Sequence, residues 1–150
     1  MKECKLNEFK RIFIAGVIQG SNQGKAIHSQ DYRQQIKDVL REAYPGVDIY
    51  DPFEGHENSI DYDDHKGRET FLSGIREALS SDLVIAYLPH ASLGTAIEVW
   101  EAHRKEIPVW TISPMKANWV IRFCSDKVFD NIESFAEYLS GKEAKKALEI

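Results

Sequence analysis

The chain has 150 residues, 43% of them hydrophobic and 29% charged, which suits one domain with a buried core and excludes a disordered, collagenous or coiled-coil chain. With 19 Lys+Arg against 24 Asp+Glu the formal net charge is −5, which argues against holding nucleic acid by phosphate neutralisation and for small-molecule chemistry. Cys4 and Cys124 form no CxxC spacing, no run approaches the ~18 apolar residues of a membrane helix, and MKECKLNEFKR lacks a signal-peptide apolar region, so a cytoplasmic chain with no membrane segment and no zinc site is expected.

Short β-rich apolar runs at 12–18, 47–50, 83–88, 109–112 and 128–129 alternate with helical spacing at 31–44, 69–81, 93–105, 117–125 and 132–140. The first helix gathers Ile36, Val39 and Leu40 on one face; the second gathers Phe71, Ile75, Ala78 and Leu79. Such alternation predicts an α/β fold, a doubly wound five-stranded parallel sheet covered on both faces. Right-handed crossovers favour the flavodoxin-like order 2-1-3-4-5, with its topological switch point between the first and third strands. A single domain over 1–150 is expected, with its core at 11–140 and a charged end at 141–150 that is a short polar helix or disordered.

Ligands of such sheets bind at the carboxyl ends of the strands flanking the switch point. The loop after the first strand, Gly16-Val17-Ile18-Gln19-Gly20-Ser21-Asn22-Gln23-Gly24, is rich in Gly and hydroxyl residues. So is the loop after the third, Pro89-His90-Ala91-Ser92-Leu93-Gly94-Thr95. The first could present backbone N–H groups to a phosphate, although it lacks both the P-loop ending and the GxGxxG spacing. The long irregular stretch 51–68 is expected to be a functional or mobile loop.

Ser92 is a good N-cap for a helix in which Glu98 falls in the second turn, with Gly94 and Ala102 one turn to either side along the same face. These small neighbours leave room for Glu98 to meet a ligand. Leu93, Ile97 and Trp100 read as the stripe facing the core, which would place Glu98 at the mouth of the switch-point crevice. An ordinary surface glutamate would satisfy the same spacing.

Other constellations read as structural. Asp61-Tyr62-Asp63-Asp64-His65 fails the EF-hand pattern at Lys66 and reads as a solvated acidic loop. The five histidines show no paired metal spacing, and His90 alone lies beside the expected site. Trp100, Trp110 and Trp119 read as core or subunit contacts.

With both loops and Glu98 in view, residues 11–140 resemble the nucleoside 2-deoxyribosyltransferase family and its relatives, the deoxynucleoside 5′-monophosphate N-glycosidases. The resemblance is carried by Ile12-Phe13-Ile14-Ala15-Gly16, by Ser81-Asp82-Leu83-Val84-Ile85-Ala86, and most specifically by Ser92-Leu93-Gly94-Thr95-Ala96-Ile97-Glu98, where a glycine lies four residues before the family's catalytic glutamate. It implies that Glu98 is the nucleophile. Gly16, Ile18, Gln19 and Gly20 match the N-glycosidase Gly-x-Ile-x-Gly loop; with Ser21, Ser92 and Gly94 they are the candidate contacts to sugar or 5′-phosphate, and Asp82 is counted with them. Asn118-Trp119-Val120-Ile121-Arg122 resembles the segment these enzymes lend to a neighbouring subunit, which implies a homodimer or higher homo-oligomer in which Asn118 and Arg122 touch substrate.

Two departures stand out. The family's aspartate eight residues before Asp82 is here Gly74, and the first-loop arginine of many N-glycosidases is Gln19. Glu69, Asp51 or the acidic loop would have to substitute for the missing carboxylate.

The implied activity is cleavage of the N-glycosidic bond of a (deoxy)nucleoside or its 5′-monophosphate, with transfer of the sugar to another base or to water and no cofactor or metal. It parallels retaining glycosidases, in which a carboxylate attacks the anomeric carbon and a second group handles the proton. The alternatives are a non-catalytic nucleotide sensor, which Gly74 favours, and a glutamate-dependent NAD glycohydrolase like TIR domains, supported by fold analogy alone.

Overall fold

The computed structural model describes residues 9–20 and 22–148, with side chains through Gly141. Five strands, β1 (Arg11–Gly16), β2 (Asp48–Tyr50), β3 (Leu83–Tyr87), β4 (Val109–Ile112) and β5 (Lys127–Phe129), alternate with five helices, α1 (Asp31–Ala43), α2 (Asp64–Leu79), α3 (Leu93–Arg104), α4 (Trp119–Cys124) and α5 (Ile132–Leu148). All neighbouring strands pair in parallel, in the order β2-β1-β3-β4-β5. The expected fold class and strand order are therefore present, with the switch point between β1 and β3.

Alternation along β1 divides the core in two, because successive side chains of a strand leave opposite faces. Ile12 and Ile14 join Leu83, Ile85, Trp110 and Ile112 against Tyr32, Ile36 and Leu40 of α1 and Phe135 and Leu139 of α5. Phe13 and Ala15 join Val84, Ala86 and Val109 against Ala78 of α2, Val99 and Ala102 of α3 and Cys124 of α4. Each fully buried Ile, Leu or Phe contributes about 1.5–3 kcal/mol by leaving water. The second face is lined with smaller residues, so the helices that cover it meet the sheet through alanine and valine.

That difference corrects the expected core stripe of α3. Thr95, Val99 and Ala102 are buried, whereas Leu93, Ile97 and Trp100 are 84%, 41% and 50% exposed. Both sets recur at helical spacing; the shallow floor of Ala15, Val84 and Ala86 accepts the smaller set and turns the larger one outward.

Helix starts follow from side-chain caps. Asp63 accepts the Lys66 N–H at 2.8 Å, Ser92 the Thr95 N–H at 3.4 Å, Asn118 the Val120 N–H at 3.0 Å and Asn131 the Ser134 N–H at 2.8 Å. The Asp63 cap starts α2 at Asp64, so part of the expected irregular stretch is helix, and a 3-10 turn, Ser59–Asp61, precedes it. The acidic run is thus a helix entrance, where carboxylates favour the positive end of the dipole. At the other end of the chain α5 continues to Leu148 instead of stopping at 140.

Candidate active site

The segment after β1 is held in place from both ends. The Val17 N–H donates to the Tyr87 carbonyl at 3.3 Å, prolonging the β1–β3 ladder, and the His28 N–H donates to the Ile18 carbonyl at 2.7 Å. Between them the Asn22 N–H turns back to the Gln19 carbonyl, and the Asn22 side chain reaches the Ala26 carbonyl at 3.0 Å. Gly20 sits at φ +58°, a left-handed backbone that favours glycine.

Gly16 ends β1 directly against Tyr32. A Cβ there would come within 2.7 Å of the Tyr32 ring carbons, so only glycine lets the Tyr32 ring cross the strand end. The Tyr32 hydroxyl donates to the Val17 carbonyl at 3.1 Å, and its ring stacks on Tyr87 with centroids 4.2 Å apart. Burial pushes the Tyr32 phenol above its usual range, so the hydroxyl remains a donor.

Below this floor lies a buried charge cluster. Arg33 donates from Nη1 to Asp51 at 2.8 Å, from Nη2 to the Gly16 carbonyl at 3.3 Å and from Nε to Gln30 at 2.8 Å. Asp51 also pairs with Lys37 at 2.9 Å and accepts the Phe53 N–H at 3.0 Å. Lys37 in turn reaches Glu54 at 3.0 Å. Burial opposes the Lys37 charge, but its hydrogen bonds to Asp51 and Glu54 prevail and raise its pKa. The side chains of Arg33 and Asp51 are only 4% and 3% exposed, so their pairing replaces hydration almost completely.

Glu98 comes down from α3 onto this end of the sheet. It is half-buried as a residue, yet its Oε2 is fully covered and has no hydrogen-bond partner among the described residues. Desolvation raises its pKa to about 8, against the pull of the Arg33 charge, which acts to lower it. An unpaired buried carboxyl oxygen costs stability unless a ligand supplies its partner. Beside it Gly94 leaves open space in the first turn of α3, whose N–H groups have no partners within the helix.

The structure brings Gly16, Ile18, Gln19, Gly20, Ser92, Gly94 and Glu98 to the same carboxyl edge of the sheet, on the two loops flanking the switch point and the first two turns of α3. Gln19 is turned into its own loop, donating to the Gly24 carbonyl at 3.3 Å. The Ser92 hydroxyl is engaged in its cap and donates to Thr95 Oγ1 at 3.0 Å. Ser21 lies outside the described residues.

Asp82 does not belong with the others. It precedes β3, at the amino edge of the sheet, where its carboxylate accepts the N–H groups of Lys10 at 2.9 Å and Arg11 at 3.0 Å. Its role is to tie β1 to β3, which corrects its place among the substrate-binding candidates. Asn118 caps α4 with its side chain, and Arg122 lies exposed on the same helix with its guanidinium over Phe123. Within one chain neither is drawn into the cluster around Glu98.

Sequence reasoning missed His28, Tyr32 and Arg33 and gave Asp51 only as a substitute carboxylate. A signal for Arg33 was present: Arg33 and Lys37, four residues apart, interrupt the α1 face that also carries Tyr32, Ile36 and Leu40. Charges embedded in an apolar stripe mark a buried pair. His28 carried no such signal, because its meeting with His90 depends on the path of two loops. The rings stack with centroids 5.2 Å apart. Among the described residues no group of three or more His, Cys, Asp or Glu is placed to hold a metal ion, and no helix is long and apolar enough to cross a membrane.

No family model matches the chain, and no curated protein matches it in sequence. Solved structures do match in fold. The 2-deoxyribosyltransferase of Bacillus psychrosaccharolyticus aligns with a TM-score of 0.61 over 85% of this chain and 91% of its own, at 17% identity. A conserved protein from Enterococcus faecalis V583 aligns with a TM-score of 0.61 over 89% and 98%, at 20% identity. The CMP N-glycosidase of Clostridium botulinum aligns with a TM-score of 0.51 over 87% and 98%, at 16% identity. The chain thus shares its fold, nearly end to end, with enzymes of these two kinds.

Proposed function

We propose that the protein cleaves the N-glycosidic bond of a (deoxy)nucleoside or its 5′-monophosphate, with Glu98 as nucleophile and another base or water as acceptor of the sugar. The observation that carries this reading is the covered, unpaired Oε2 of Glu98 at the switch point. A carboxylate in that position is held ready for an electrophilic carbon, and the fold shared with a 2-deoxyribosyltransferase and a CMP N-glycosidase supports the same bond as target. Attack at C1′ forms a glycosyl ester while the base departs; the acceptor then releases the sugar and restores the carboxylate.

Substrate placement follows from the surrounding residues. Gly16, Gly20, Ser92 and Gly94, with Ser21, receive the sugar hydroxyls or phosphate, aided by the free N–H groups at the start of α3. The protein acts as a homo-oligomer, at least a dimer. This is supported by the outward apolar residues Leu93, Ile97 and Trp100 on α3 and Trp119, Val120 and Phe123 on α4, a surface that a second copy would cover and that would carry Asn118 and Arg122 with it. Sedimentation at micromolar concentration that shows only monomer overturns the oligomer and the roles of both residues.

The central test is base release from a panel of nucleosides, nucleotides and NAD. Wild type releases base from at least one nucleoside or 5′-monophosphate, and Glu98→Gln lowers the rate by about 10³-fold or more, roughly 4 kcal/mol of barrier, while substrate still binds. Release by the variant at the wild-type rate removes Glu98 as nucleophile. A protein that binds nucleotides but turns over none is the sensor, the reading that Gly74 favours because it leaves α2 without a carboxylate at that position.

A further inference from the structure

A nucleobase is a poor leaving group as an anion, so N-glycosidic cleavage calls for a proton donor as well as a nucleophile. The carboxylates of this edge do not provide one. Position 74 is glycine, and a Cβ built there would meet nothing within 4 Å. Asp51 is held by Arg33, Lys37 and the Phe53 N–H. Glu69 is exposed on α2 beside His65, and Asp63 caps that helix.

We infer that His28 is the donor, passing a proton from Nε2 to the departing base, with His90 as the positioning residue stacked on its ring; this rests on the N-glycosidic cleavage proposed above. His28 Nε2 is covered and has no hydrogen-bond partner among the described residues. Its main chain is fixed by the bond to the Ile18 carbonyl, and Gln30 Nε2 holds the His28 carbonyl at 2.7 Å. A Cβ on Gly20 would come within 2.6 Å of Nε2, so the glycine leaves that nitrogen its space. The His90 ring stacks at 5.2 Å and 27° from the other switch-point loop. Charged and titratable groups at this edge include Lys25 on the same loop, paired with Asp61, then Tyr32, Arg33 and Lys37 of α1, Asp51 and Glu54 after β2, Tyr87 ending β3 and Glu98 of α3.

The step balances without a further reactant. A Glu98 carboxylate oxygen bonds to C1′ as the C1′–N bond breaks, the electron pair stays on the base nitrogen, and the base takes the Nε2 proton of the His28 imidazolium. Water then bonds to C1′, the ester C–O bond breaks, and the water's proton returns to His28.

A leaving group that needs no proton separates this role from a structural one. Whichever base the wild type releases, its nucleoside is compared with the cationic N-methylated counterpart: 7-methylguanine against guanine, or 3-methylcytosine against cytosine. His28→Gln lowers release of the unmethylated base by about 10²-fold or more and leaves the methylated one within a few-fold of wild type. His90→Gln, at an exposed ring, gives a smaller loss in the same direction, and Glu98→Gln lowers both substrates together. Equal losses on both substrates in His28→Gln and His90→Gln, or no loss on either, overturn the donor while leaving the nucleophile standing. A wild type that cleaves neither substrate overturns the cleavage reading and the donor with it.

Discussion

The two edges of the sheet are built from the same residue types and used in opposite ways. At the amino edge, carboxylates are matched to backbone donors: Asp82 takes the N–H groups of Lys10 and Arg11, and Asp126 takes that of Val109 at 2.8 Å. Arg11 reaches over them to Glu77 and Asp48. At the carboxyl edge, Glu98 Oε2 and His28 Nε2 are covered and unmatched, above a buried pair of Arg33 and Asp51. Carboxylates at the first edge staple strands. The second edge leaves a carboxylate oxygen without a partner among the described residues, and this difference separates a structural aspartate from a candidate nucleophile where sequence position alone does not.

Breaking the buried pair should have the largest effect on stability. Arg33→Met strands Asp51 without one of its two cations and is expected to lower the unfolding free energy by about 3–5 kcal/mol in urea titration. A loss below about 1 kcal/mol would mean that this cluster is as weak as a surface pair.

Next comes the close approach of β1 and α1. Gly16→Ala forces the Tyr32 ring off the strand end and is expected to cost about 1–3 kcal/mol, measured the same way, with loss of ligand binding at the loop. An alanine tolerated without cost would show that Tyr32 moves freely.

A smaller effect follows the charge on Glu98. Its folded-state pKa, about 8, lies above the ordinary 4.5, so between those values the folded chain holds a proton that the unfolded chain has released. Stability from this group is therefore complete below pH 4.5 and is lost as pH rises toward 8. Glu98→Gln should match wild type in melting temperature near pH 4.5 and exceed it at pH 9 by a few degrees, less than the full shift would give because water reaches the group once it ionises. The same proton must leave before Glu98 can attack, so the rising limb of the kcat/KM profile should follow Glu98 toward pH 8, and loss of the donor's proton should bring the profile down again. A pH-independent difference between the two proteins would remove Glu98 from the covered environment.

The smallest effect is expected at the opposite edge. Asp82→Asn keeps one acceptor for the strand N–H groups and should cost about 1 kcal/mol or less, with base release within about twofold of wild type. A large loss of activity with normal stability would return Asp82 to the site.

Much of this architecture was legible in the chain. The strand and helix alternation, the strand order and the convergence of the two loops follow from local apolar period, Gly placement and the handedness of crossovers, which are properties of short stretches. The place of Glu98 in the second turn of α3, at the carboxyl edge, was legible through its spacing from Ser92 and Gly94. The face of α3 that would be buried was not, because two apolar stripes compete on it and the depth of the sheet floor selects the smaller one. Nor were the burial of Arg33 and Asp51, the stacking of His28 on His90, or the position of Asp82 at the far edge. Each of these depends on residues 18 to 72 positions apart in sequence meeting in space, as Lys10 and Arg11 meet Asp82 across 72 and 71 positions, or Arg33 meets Asp51 across 18. Local chemistry sets which elements form; the packing of those elements decides which carboxylate is satisfied and which is left without a partner among the described residues.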